Sequence, residues 1–480
     1  MNKLKVLLSS IFLVMPLLSA KPSYASIDSS CQFSADEVTR KQALRQQSLT
    51  DENARQAYSN LLREQGQRLA RCREQNWPDE QAIWLRLYPC DVRAGSIDAI
   101  LDRIVDRGYN SVYLEVFYDS MVLLPANDNP TVWPSVVDIK GQESTDLLAQ
   151  TIEKGHERGL KVYAWLFSLN FGYLYAQKPE NAALLARNGK GQDSTGFVLD
   201  QSQAFVDPYN SQARSDYSKL LNSVLKRRPD GVLFDYIRYP RGSGEQSTAA
   251  KVKDLWIYGP ASRQALLNRA LNDKGKFLID RYLTKGDLSS GDLQEADKKY
   301  PDQDEPLWEG QTLTVDGIDR LQNLKLDLWY LSVSHAAQGV IDYLTFISGQ
   351  VKNQGIQAGA VFFPDGNQTV GATGFDSRLQ PWDRFPSNLL WNPMSYAVCN
   401  DAACVVAQVQ RVVDAAKPET KIIPAIAGQW GRVYNNRPSL EEQTRAIYSK
   451  FYPRIRAISH FAFSWQEPEI DKERRFCKRN

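Results

Sequence analysis

The stretch Arg228-Pro-Asp-Gly-Val-Leu-Phe-Asp-Tyr-Ile-Arg-Tyr-Pro-Arg-Gly242 decides the reading of this chain. Pro229-Asp230-Gly231 is a turn signal, and Val232-Leu233-Phe234 is a short apolar run of β type. Asp235, Tyr236, Arg238 and Tyr239 follow at once, before Pro240 and Gly242 close the segment. A buried strand that ends in an acid, an arginine and tyrosines sets polar chemistry at its carboxyl end. In parallel α/β proteins that end is where sites are built. The plain alternative is that Asp235 and Arg238 only pair with each other or brace neighbouring loops.

Working outward, the same alternation recurs on both sides. Strand signals fall at 83–88, 111–117, 160–167, 231–235, 356–363, 388–394, 421–427 and 457–463. Amphipathic helical stretches separate them, several ending in glycine (Gly108, Gly159, Gly355). Eight strand signals with helices between them predict an α/β protein, a (β/α)8 TIM barrel over residues 81–480. An open doubly wound sheet is the competing fold. Pro89-Cys-Asp-Val-Arg-Ala-Gly95, after the first strand, lacks its Gly-x-Gly-x-x-Gly turn. Two departures interrupt the rhythm. Residues 26–80 read as an N-terminal helical hairpin, with Ser34-x-x-Glu37 as a capping box. A polar stretch at about 243–318 reads as a long insertion after strand four, with one helix over 261–283, on the face where lids and binding loops are found.

The 480-residue chain has a formal net charge of +2 and no basic block, which gives no sign of a nucleic-acid partner. Residues 1–25 read as a signal peptide: Lys3 and Lys5, an apolar run over 6–18, and Ser23-Tyr24-Ala25 before the cut. An uncleaved anchor is the alternative. The expected location is periplasmic or extracellular, where disulfides persist. Six cysteines allow fifteen pairings and the sequence does not choose. Cys399 with Cys404 and Cys31 with Cys72 are locally sensible, which would leave Cys90 with Cys477. His156, His335 and His460 are scattered, so neither a metal nor any other cofactor is expected.

A barrel gathers its strand ends at one mouth. Asp235 is the first candidate for catalysis, with Glu115 and Glu467 competing as its partner. Asp119, Trp165, Asn170, Tyr236, Arg238, Asn392, Tyr396, Trp430 and Trp465 are the candidate substrate-binding residues. Carboxylates, amides and aromatic rings suit a carbohydrate: sugar C–H faces stack on rings, and hydroxyls bond to carboxylates. Glycosidic cleavage needs two carboxylates across the bond, ~5–5.5 Å apart for retention or ~6.5–9.5 Å for inversion. For Glu115 the alternative is a paired acid in the barrel core, and for Glu467 a surface loop.

Asp230-Gly-Val-Leu-Phe-Asp-Tyr-Ile-Arg-Tyr-Pro240 resembles the strand-four signature of bacterial glycosyl-hydrolase-like family 10 proteins. Asn110-Ser-Val-Tyr-Leu-Glu-Val, Gly159-Leu-Lys-Val-Tyr-Ala-Trp and Asp207-Pro-Tyr-Asn with Arg214 support it. The resemblance, over roughly residues 82–470, implies a (β/α)8 barrel and glycoside hydrolysis, with peptidoglycan glycan strands as a substrate class. Many members carry a second acid directly after the strand-four Asp, where this chain has Tyr236, and Gln-Val-Arg on strand two, where it has Glu115-Val-Phe117. The competing functions are a non-catalytic glycan-binding barrel of the cell envelope and, more remotely, a metal-dependent deacetylase.

Overall fold

The structure is a computed structural model that describes residues 31–200, 202–311 and 318–477. The expected leader and its cleavage point lie outside the described residues.

Eight parallel strands form the barrel: β1 Glu80–Leu85, β2 Ser111–Tyr118, β3 Lys161–Phe167, β4 Gly231–Asp235, β5 Gln357–Phe362, β6 Leu390–Pro393, β7 Ala425–Ala427 and β8 Ala457–Phe461. Hydrogen-bonded neighbours run β6-β5-β4-β3-β2-β1-β8-β7. Parallel bridges from Trp391 to Ile422 and from Met394 to Ala425 close the ring. The predicted (β/α)8 barrel is therefore the fold. β7 is shorter than its apolar run because Pro424 has no N–H to give. Residues before it pair toward β6, through Ile423 N–H to Trp391 O at 2.8 Å. Residues after it pair with β8.

Side chains alternate across each strand, and the register shows which ones share a face. Trp84 lies level with Tyr113, and Tyr113 with Tyr163. Their rings meet edge-on at 5.0–5.3 Å across the barrel floor. The neighbour of Tyr163 is Gly231. A Cβ there would stand 2.4 Å from the Tyr163 ring, so a glycine is required.

The outer layer is α1 Ala35–Gln47, α2 Glu52–Gln75, α3 Ser96–Asp106, α4 Leu147–Glu157, α5 Ser211–Leu225, α6 Pro260–Leu267, α7 Asp273–Lys285, α8 Ser290–Lys299, α9 Arg320–Lys352, α10 Ala403–Ala415, α11 Leu440–Phe451 and α12 Pro468–Arg475. Helices α6 to α8 form the insertion after β4. Its expected single helix over 261–283 is two, because Asn272 caps a new start by accepting from Gly275 N–H at 2.7 Å. Asp207, ahead of α5, accepts Ser262 N–H at 2.8 Å and so ties the insertion to the barrel.

The hairpin α1–α2 packs against α3 and α4. A buried charge cluster joins them. Asp102 accepts from Arg45 at 2.8 Å, Tyr58 at 2.7 Å and Arg158 at 2.9 Å, and Arg158 also reaches Asp98 at 2.9 Å. Three disulfides pair the cysteines as Cys31–Cys72, Cys90–Cys477 and Cys399–Cys404. The first joins the segment before α1 to α2. The second ties the loop after β1 to the chain beyond α12.

Removing one partner from a buried ion cluster strands the others without compensation. Arg158→Met is expected to lower unfolding free energy by ~3–5 kcal/mol, the usual range for a broken buried pair. Urea denaturation followed by circular dichroism measures it, and a loss under ~1 kcal/mol would mean the cluster behaves as an exposed one.

Candidate active site

Glu115 on β2 lies level with Trp165 on β3, and Trp165 with Leu233 on β4. Asp235, two residues beyond Leu233, shares that face. Trp165 meets the interior ring of Trp84 at 4.8 Å, which makes the face the barrel interior. Two strand spacings of ~4.8 Å separate the backbones of β2 and β4, and both acids point inward from them. The structure thus brings Asp235, Glu115 and Trp165 together at the upper end of the barrel.

The two acids are held differently. Asp235 accepts Trp165 Nε1–H at 3.1 Å and its neighbour Tyr236 N–H at 2.6 Å. Both donors are neutral. Burial pushes its carboxyl up to about 6, against the pull of those hydrogen bonds and the Arg238 charge. Glu115 is gripped by Arg86, whose Nη2 donates at 3.0 Å and whose Nε donates to the other oxygen. Burial still pushes Glu115 up to about 7, with Arg86 opposing and Asp235 adding to the rise. Arg86 also lies 3.7 Å from Asp119 and 4.2 Å above the Tyr118 ring. Asp119 therefore belongs to the site through Arg86.

Backbone distortions aim these groups. The β2–β3 register shifts between Glu115 and Phe117, a bulge that turns a side chain at a strand end. Asp119, Ser120 and Tyr236 have φ of +45°, +64° and +51°, a left-handed region costly for residues with a Cβ. Tyr236 directly follows Asp235, and Asp119 and Ser120 lie just past the end of the strand that carries Glu115.

Tyr236 packs on Phe167 with ring centroids 4.2 Å apart. Arg238 lies over Tyr236 at 4.7 Å. It makes no ion pair with Asp235; its Nη1 donates to Tyr239 O at 2.9 Å. Tyr396, whose ionisation is opposed first by burial and then by the Asp235 charge, begins an aromatic series. Phe461 lies 5.6 Å from it, Trp465 5.8 Å beyond, and Tyr434 5.1 Å farther still.

Three expected site residues are placed elsewhere or employed otherwise. Glu467 is bound by Arg107 at 2.7 Å and faces Arg103 at 3.8 Å, both in the α3 region, so it does not stand opposite Asp235. Trp430 packs edge-on against His460 and donates to Tyr109 at 3.0 Å, on the outward side of β8. Asn170 is a loop clamp that accepts Gly172 and Ala204 N–H groups. Asn392, two residues beyond Leu390, lies on the inward face that Asp235 shares; it is fully buried, donates to Leu390 O at 3.3 Å and has no partner for Oδ1 among the described residues. Arg86, Phe167 and Phe461 were not singled out from the sequence. An arginine inside the otherwise apolar Ile83-Trp-Leu-Arg-Leu87 was the available signal. No group of three or more His, Cys, Asp or Glu residues that could hold a metal occurs among the described residues.

The Glycosyl hydrolase-like 10 family model matches residues 71–263. The match runs from the end of α2 through β4 into α6, and so contains Arg86, Glu115, Trp165 and Asp235. The expected resemblance is borne out over that stretch, short of the 82–470 expected for it, and the chain carries a glycosidase-like barrel. Among curated proteins nothing matches. Similar solved structures include a hypothetical protein from Ruminiclostridium thermocellum (17% identity, 33% of this chain and 77% of that one, TM-score 0.26). An exo-β-N-acetylglucosaminidase from Vibrio harveyi shares 8% identity over 84% of this chain and 53% of its own, with TM-score 0.41. A β-N-acetylhexosaminidase from Bacteroides fragilis shares 11% over 84% and 64%, with TM-score 0.40. This chain thus spans about half the length of the Vibrio enzyme.

The raised Asp235 pKa makes a stability prediction. Unfolded, an Asp titrates near ~3.9. Between ~4 and about 6 the folded state holds a proton that the unfolded chain has lost, so stability falls as pH rises through that window. The Asp235→Asn side chain does not titrate. From pH 4 to pH 8 the unfolding free energy of Asp235→Asn is expected to gain ~3 kcal/mol relative to the unsubstituted protein, the equivalent of about two pKa units. Parallel denaturation curves at the two pH values, with no change in the difference, would show that Asp235 is not perturbed.

Proposed function

We propose that this protein is an exported glycoside hydrolase that cleaves a polysaccharide, with the glycan strands of peptidoglycan as the substrate class. The observation that carries the reading is the pair of buried carboxylates, Asp235 and Glu115, facing one barrel interior within a segment matched by a glycosyl hydrolase-like family. Burial raises both, to about 6 and about 7, so around those values the pair holds one proton and one charge. That is the state glycosidic cleavage uses: one carboxyl protonates the leaving oxygen while the other attacks the anomeric carbon or activates water. Trp165 fixes Asp235 by its indole N–H, and Arg86 fixes Glu115. The half-buried rings of Tyr396, Phe461, Trp465 and Tyr434 offer faces for neighbouring sugars. Three disulfides favour an oxidising compartment, periplasmic or extracellular.

A second reading, a non-catalytic glycan-binding barrel, draws on the same Arg86 grip: a carboxylate engaged at both oxygens has less freedom to act on a substrate. One experiment separates the two. In Asp235→Asn, turnover of purified glycan strands is expected to fall ~10²–10⁴-fold, the range for a lost acid or base, with glycan binding retained. Glu115→Gln is expected to fall comparably. Unchanged product release in both, followed by chromatography of the cleaved glycan, would remove the pair from the mechanism.

The two raised values also set a pH profile. Activity is expected to be bell-shaped, with apparent limbs near 6 and 7 that belong to the coupled pair. Arg86→Met removes the cation that holds Glu115 down, so its alkaline limb moves upward. Initial rates from pH 4 to 9 test this, and an alkaline limb that stays in place would uncouple Arg86 from the titrating group.

A further inference from the structure

Arg238 makes no close ion pair among the described residues, and the Asp235 charge acts on it only at longer range. Its side chain is buried, and Nη1 spends one hydrogen on Tyr239 O. Its other N–H groups have no hydrogen-bond partner among the described residues. The guanidinium is sandwiched among Phe205, Tyr236 and Phe363, at 5.4, 4.7 and 5.8 Å from the ring centroids. Those faces soften the burial of charge without neutralising it.

A second guanidinium sits beside it. Arg378 stands 4.8 Å from the same Phe363 ring and raises the local positive potential at Arg238. It is fully buried, with Nε and Nη2 held by Asp376 at 2.7 Å and Nη2 also by Asp365 at 3.1 Å. Its Nη1 is buried without a partner. The backbone locks the two together, through Tyr239 N–H to Arg378 O at 2.8 Å. An arginine fork with free donors, in an apolar setting, is complementary to a planar carboxylate. Arg238 stands over Tyr236, the residue following Asp235, so such a carboxylate would enter next to the paired acids.

We infer that Arg238, backed by Arg378, forms a subsite for the carboxylate of an acidic sugar beside the bond to be cleaved. The inference rests on the mouth being a glycan site, as proposed above, and narrows its substrate to acidic glycans. Two chemistries supply the group: the lactyl ether of N-acetylmuramic acid and the ring carboxylate of a hexuronic acid.

The test titrates full-length Asp235→Asn protein, calorimetrically, with an N-acetylglucosamine–N-acetylmuramic acid disaccharide and its methyl ester. A hexuronate-containing oligosaccharide and its methyl ester form the second arm. One acid is expected to bind at least tenfold tighter than its ester, and the arm showing the preference identifies the source. Adding Arg238→Gln should bring that ratio to about one, and Arg238→Lys should restore part of it. Equal affinities for acid and ester in both arms would overturn the subsite without reliance on any Arg238 variant; so would a preference that survives Arg238→Gln. Hydrolysis is scored separately with the unsubstituted protein. A preference without cleavage of any glycan leaves the subsite standing and ends the hydrolase reading. Cleavage of neutral and acidic glycans alike, with no binding preference, does the reverse.

Discussion

Two carboxylates withdrawn from water inside one apolar throat impose the main constraint on this structure. A charge in such a place is tolerated only with donors aimed at it. Asp235 is given an indole and a backbone N–H, and Glu115 a guanidinium. The backbone pays in conformation around them: a bulge follows Glu115, and Tyr236 takes a left-handed turn that brings its N–H onto the acid before it. These features are local strain with a common origin. They keep two acids inward at the upper end of the barrel, with Trp165 on the strand between them.

The mouth built around that level is lopsided. On the β4–β5 side, the segments after the two strands are tied together by Tyr239 N–H to Arg378 O and by Gly242 N–H to Ser377 Oγ, and a small sheet joins Thr248–Ala249 to Gly374–Asp376. That tie gathers arginines. On the β6–β8 side, Tyr396, Phe461, Trp465 and Tyr434 follow one another at ring-contact distances. A chain of sugars offers both kinds of surface, C–H faces and oxygens, and a mouth with one aromatic and one cationic wall meets each with its own chemistry.

Much of this was legible before the structure. Strand runs and amphipathic helices carry their own periods, so the eightfold alternation, the hairpin and the insertion could be read directly. Asp235, Glu115 and Trp165 were legible because a parallel strand's carboxyl end has a fixed meaning. Arg86 was not, since its role comes from a partner twenty-nine residues away on the next strand. Glu467 and Trp430 misled for a different reason. They follow β8 and β7, but the chain there turns outward: Glu467 ends on arginines of the α3 region, and Trp430 on the outer face of β8 beside His460. The direction of a loop after a strand depends on what it packs against, which periodicity does not encode. Pro424, in contrast, was readable in principle, because a residue with no N–H must interrupt a ladder.

The different partners of the two acids matter beyond stability. Asp235 meets only neutral donors, so its proton affinity follows its burial closely; Glu115 is more deeply enclosed and would lie higher still without Arg86. The cation thus acts as a brake that keeps Glu115 within about a unit of Asp235. Were the brake absent, Glu115 would hold its proton to higher pH, and the singly protonated pair would persist over a wider span centred at higher pH. With it, the pair changes charge near neutrality, and the group that sets this is Arg86 on β1's extension rather than any residue in the strand-four signature.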